Sequence, residues 1–162
     1  MSVLYCLVVI AVCMDVKSMR ISNRLILIGL GIVFLHRFLS GGVIEVFHGI
    51  ILAVFPIILL YLLFLVGALG AGDIKLFSLI GGFVNFKELT ECIVFAFLCA
   101  GIFSFFQMMY YRTFLSSMQN VAIYWMRLYS GDKTAYVPVF GRKSKIHFSV
   151  FILCGLFLSR LV

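Results

Sequence analysis

Acidic side chains are scarce in this chain, six Asp and Glu among 162 residues, and charged residues of both signs make up only 12% of it. A water-soluble domain carries about 25% charged residues, so the usual solvated shell is missing. Proline is down to two residues, and there is neither an internal repeat nor a low-complexity tract. Five cysteines are present, but none forms a CxxC pair and no His stands at zinc-ligand spacing, which argues against a metal site and a disulfide framework. Cys6, Cys13, Cys92, Cys99 and Cys154 fall inside apolar runs and read as small buried hydrophobes. No cofactor is implied. No basic stretch precedes the first apolar run, and Cys13-Met14-Asp15 is no small-residue cleavage site, so the first helix is expected to be retained and not removed as a signal peptide.

Hydrocarbon fills the place of charge, with 64% hydrophobic and 16% aromatic residues. Such a composition aggregates in water and belongs in a bilayer. Six apolar runs are drawn at 2–19, 25–39, 43–66, 74–86, 92–111 and 146–162. The expected fold is therefore all-α, a polytopic bundle of about six transmembrane helices forming one domain over residues 1–162. Ser40-Gly41-Gly42 signals a turn between the second and third runs, and Pro56 is expected to kink the third by removing a backbone donor. His36 and His48 fall toward one side and read as interfacial or packing residues, as does His147 at the start of the last run.

Alternating six spans put Lys17, Arg20, Arg24, Lys75, Arg112, Arg127, Lys133, Arg142, Lys143 and Lys145 on one side, and leave Arg37, Lys87 and Arg160 on the other. The positive-inside rule then assigns the richer side to the cytoplasm and both termini to the outside. The net charge of +7 is mostly this topology signal, with an attraction to anionic lipid, and does not indicate nucleic acid. The long polar interval, about 112–145, holds Phe114, Met118, Val121, Trp125 and Leu128 at steps of three and four, the pattern of an amphipathic helix lying in the interface or of a partner-binding helix.

Two of the few acids end up on the same side. Asp15 closes the first run, and Asp73 follows Gly70-Ala71-Gly72 directly ahead of the fourth. An acid at the edge of the hydrocarbon is costly to keep and is a functional candidate by default. Residues 74–86 reach only about 20 Å as a helix, short of a hydrocarbon layer of about 30 Å, so Asp73 is expected near the cytoplasmic boundary with Asp15 beside it. Two carboxylates can hydrolyse a peptide bond when one is ionised to activate water and the other is protonated to donate. Gly70 and Gly72 would give the active-site loop unusual dihedrals and let an extended substrate approach. The helix dipole disfavours charge on Asp15 at a helix C-terminus and favours it on Asp73 at an N-terminus, making Asp15 the expected proton carrier. Lys75 is a candidate contact for a substrate carboxylate or lipid headgroup, and Asn23 a cap of the second helix or a neighbour of Asp15. The same residues also match a bland pattern, an N-cap at Gly72-Asp73 and a juxtamembrane ending at Asp15-Val16-Lys17.

At Gly70-Ala71-Gly72-Asp73-Ile74-Lys75-Leu76 the chain resembles the type IV prepilin peptidase family, membrane aspartyl proteases of the GxGD class that also includes presenilin-like enzymes. The family's other motif, an Asp at the end of the first core helix followed by Ile-Pro-Asn, reads here Asp15-Val16-Lys17-Ser18-Met19-Arg20-Ile21-Ser22-Asn23, with Ser22 in place of proline. A weaker echo is Lys145-Ile146-His147-Phe148-Ser149-Val150-Phe151, where His147 and Val150 replace prolines flanking a Phe. The resemblance implies an endopeptidase of the cytoplasmic membrane that removes the short basic leader of prepilins or pseudopilins, with Asp15 and Asp73 as the catalytic pair. Larger relatives carry an N-terminal segment with paired cysteines and also N-methylate the product; this sequence shows no such segment, and methylation is not expected of it. Two other readings use the same acids: a proton-coupled transporter or secretion-assembly subunit with the pair as a relay, and a presenilin-like protease cutting within the membrane. Transport favours acids near the midplane, and presenilin-like enzymes place a Tyr before the first Asp, where Met14 stands here.

Overall fold

The computed structural model describes residues 2–18, 21–110 and 147–161, in which all the regular structure is α-helical. The helices are α1 (Ser2–Ser18), α2 (Asn23–Leu65), α3 (Ala71–Phe83), α4 (Phe86–Tyr110) and α5 (Phe148–Leu158). The interval 112–145, with its expected amphipathic helix, lies outside the described residues. Residues 1–99 and 147–162 form one compact unit and residues 100–146 a second, of which only the last turns of α4 are described.

The second and third apolar runs join in α2, whose dihedrals are helical except at Gly42 (φ 69, ψ −155). Glycine meets no Cβ penalty there. The chain reverses at that point, since Arg37 bonds Glu45 at 3.1 Å and a Cβ on Gly49 would strike the Arg37 side chain. Such contacts are out of reach along one straight helix at 1.5 Å per residue. The break therefore falls at the expected glycine turn, while Pro56 sits inside the second limb with helical dihedrals. The second limb stops at Gly67 (φ 75). Gly67 N bonds Phe64 O at 2.9 Å and Ala68 N bonds Leu63 O at 2.9 Å, the paired bonds by which a left-handed glycine closes a helix.

Short α3 is the hub. Leu76, Phe77, Leu79 and Ile80 are all 0% exposed, as expected of a helix apolar all round. Small residues let its neighbours close in. Leu79 and Leu7 pack against Gly29 of the first α2 limb, and the Leu52 carbonyl of the second limb lies where any Cβ on Gly81 would sit. α5 packs beside it, with Phe148 against Phe77 and Phe97, Tyr5 of α1 against Phe157, and Gly155 against the backbone of Cys92 and Ala96 on α4.

The outward face is hydrocarbon, with Ile58 and Leu62 each 73% exposed. α2 and α4 are long and apolar enough to cross a membrane, and the chain is a membrane protein by this composition and surface. The cysteines depart from the expectation of burial. Cys92 is buried, but Cys6, Cys13 and Cys154 are exposed on that same apolar surface. Polar groups divide between the two ends. Arg37, Glu45, Glu88 and Arg160 pair at the C-terminal ends of α3 and α5, whereas Asp15, Asn23, Asp73, Lys75 and Ser149 stand at the opposite end.

Candidate active site

Asp73 is the third residue of α3, and Gly70, not Gly72 or Asp73, is its N-cap. The Gly70 carbonyl accepts the Asp73 and Ile74 amides at 3.1 and 3.4 Å, while the Gly70 N–H donates to the Asp73 carboxylate. An acid at this position reaching back to the capping residue is half of a capping box. Asp73 thus helps to start the helix that carries it. The glycines do not supply unusual dihedrals, because Gly70 has φ −78 and Gly72 lies inside α3, and positive φ among the described residues is confined to Gly42 and Gly67. Gly70 matters through space: a Cβ there would come within 3.1 Å of Asp73 Oδ2.

Asp15 lies in the last turn of α1, within reach of Asp73. It is 17% exposed on its side chain. Ser149, fully buried in the first turn of α5, donates from Oγ to Asp15 Oδ2 at 2.6 Å, and His147, the N-cap of α5, holds Nδ1 3.6 Å from the same oxygen. Asp73 stands ahead of the apolar run of α3 and outside the two helices long enough to cross a membrane. Burial first, and the Asp15 charge second, push it up to about 6, with the Gly70 N–H and His147 pulling the other way. The dipole at the start of α3 favours charge on Asp73, but desolvation and a like charge outweigh it.

The structure thus brings together the two predicted acids and adds two residues that sequence reasoning passed over. His147 reads as a packing residue and Ser149 as one more position in an apolar run. Their signals were being polar at the head of the last run and lying in the weak echo at Lys145–Phe151, which named no site. Lys75 and Asn23 meet each other: Lys75 Nζ donates to Asn23 Oδ1 at 2.8 Å, and the α2 cap position belongs to Ser22. Between α3 and the second α2 limb, a cavity of about 260 Å³ is lined by Ile57, Tyr61, Phe64, Ala71, Ile74 and Lys75. The arrangement is that of a carboxylate pair with one acid held by donors and the other desolvated, the asymmetry an acid and base pair needs.

No curated protein and no solved structure matches the chain. A family model does, over residues 2–105, a span that takes in both aspartates and leaves α5 outside. That match and the paired carboxylates agree, and the chain belongs to the type IV leader peptidase family.

Proposed function

We propose that the protein is an aspartyl endopeptidase that removes the short basic leader of prepilin-like or pseudopilin-like proteins, acting as one membrane-embedded domain of about six spans. The observation that carries this reading is the electrostatic contact between Asp15 and Asp73, two acids 58 positions apart in the chain, in which the charge of one raises the other. Asp15, ionised, takes a proton from water as its oxygen attacks the scissile carbonyl carbon. Asp73, protonated, donates to the carbonyl oxygen, giving a tetrahedral diol. The proton on Asp15 then passes to the leaving nitrogen, the C–N bond breaks, and Asp73 recovers its proton from the collapsing hydroxyl. This allocation reverses the one drawn from helix dipoles.

Both acids belong at the cytoplasmic face, on the side that carries ten of the thirteen basic residues. The acids' confinement to one end of the bundle fits a transporter's relay poorly. The test is co-expression with a prepilin-like substrate, following leader removal by gel shift in wild type, Asp15→Asn and Asp73→Asn. Each variant should accumulate in the membrane and leave the substrate uncut. Full processing by either one overturns the mechanism.

A further inference from the structure

Two groups from the head of α5 converge on a single oxygen of Asp15. Ser149 Oγ donates to Oδ2 at 2.6 Å, and His147 Nδ1 lies 3.6 Å from it. Ser149 is 0% exposed, so water does not compete for its hydroxyl. A hydrogen bond to a carboxylate favours the charged form, and a protonated imidazole at this distance does the same. Phe148, between the two, packs against Phe77 and Phe97 with ring centroids 6.3 and 5.2 Å away. This locks the start of α5 in register with α3 and α4.

We propose that His147 and Ser149 are positioning residues that fix the Asp15 carboxylate through Oδ2 and leave its Oδ1 for the hydrolytic water. This rests on the aspartyl peptidase reading. Among the described residues, Ser149 and His147 at the head of α5 act on Asp15, the Gly70 N–H and His147 act on Asp73, and the Lys75 ammonium of α3 is held by Asn23 at the start of α2. His147 also holds Asp73 down, so without the imidazole Asp73 keeps its proton to higher pH and the alkaline limb of the activity profile, set by Asp73 losing that proton, moves upward.

The experiment uses the full chain in lipid nanodiscs with a synthetic peptide carrying a basic leader and a hydrophobic helix, over a range of pH. His147→Gln should raise the midpoint of the alkaline limb by about half a pH unit or more. Ser149→Ala should lower kcat about tenfold with KM nearly unchanged. Thermal midpoints separate lost folding from lost positioning, and His147, whose side chain is 29% exposed, gives the variant that folds even if Ser149→Ala does not. In parallel, an infrared titration of the protonated-carboxyl band reads the acids with no substrate present, with Asp73→Asn assigning the band. Alkaline limbs and carboxyl titrations that superimpose on wild type in His147→Gln overturn the proposal. Failure of the wild type to cut any leader peptide overturns the peptidase reading instead, and the infrared titration still decides this one.

Discussion

Arg37 Nε donates a 2.8 Å hydrogen bond to the carbonyl oxygen of Gly82, and the rest of its guanidinium bonds Val84 O at 3.2 Å and Glu45 at 3.1 Å. One side chain from the α2 hairpin thereby closes the C-terminal end of α3, where unpaired carbonyls and the negative end of the dipole call for a cation. The opposite end of the same helix carries Asp73. Placement of the acid along the bundle thus depends on a clamp nine residues further along the chain, at Gly82.

Replacing Arg37 by Ala leaves two carbonyls and a carboxylate without their donor, at a side chain only 13% exposed. The expected loss is about 2–3 kcal/mol, since hydrogen bonds to charged groups contribute more than neutral ones. Arg37→Lys should recover less than half of it, because an ammonium cannot spread three donors over that fork. Thermal unfolding in detergent checks the stability, and leader removal near and well below the midpoint checks the coupling. Activity lost in the warm and regained in the cold supports the clamp; an unchanged midpoint in Arg37→Ala rules it out.

Gly70 and Gly72 look equivalent in the motif, yet the space around them differs. A Cβ on Gly70 presses on the Asp73 carboxylate at 3.1 Å, whereas one on Gly72 meets only Ile21 at 3.4 Å, ordinary contact. Both backbones are open to alanine. Gly70→Ala should therefore fold normally and lose about tenfold or more in kcat, by displacing an acid that must sit within about 0.5 Å of its productive place. Gly72→Ala should stay within about threefold of wild type. Equal losses in the two variants would mean that substrate approach, and not carboxylate placement, explains the glycines.

Much of this was legible beforehand, for physical reasons that can be traced residue by residue. Apolar runs separated at Ser40-Gly41-Gly42 correspond to helical limbs, because length in hydrocarbon and the left-handed freedom of glycine both register in one dimension, whereas the Gly67 turn went unread. Boundaries were harder. α3 begins at Ala71 and α4 at Phe86, earlier than their apolar runs, since a helix does not stop where charge appears: Lys87 and Glu91 pair along the first turns of α4 at 3.5 Å. The outward-facing Cys6, Cys13 and Cys154 escaped notice because an almost uniformly apolar helix offers no contrast between its faces. Asp15 and Asp73 stood out as rare carboxylates at matching ends. Ser149 did not, for its bond to Asp15 spans 134 positions and exists only once α5 is packed.

The acid at the centre of the site should itself weaken the fold near neutral pH. Asp73 has its ordinary value of 3.8 when unfolded and about 6 in the folded protein. Between those values the folded chain binds the proton more tightly than the unfolded chain, so this group's contribution to stability is full below the lower value and is lost as pH rises through the window. Asp73→Asn removes the titration and keeps a side chain able to accept from the Gly70 N–H. The variant should be inactive yet melt a few degrees higher than wild type at pH 7, a contribution of order 1 kcal/mol after solvent screening, with about 2–4 °C per kcal/mol at this size. At pH 4 the two should converge. The same titration should make kcat/KM fall as pH climbs through about 6. Melting curves at the two pH values check the linkage, and a midpoint difference that does not change with pH would show that Asp73 is not held in a desolvating site beside a second charge.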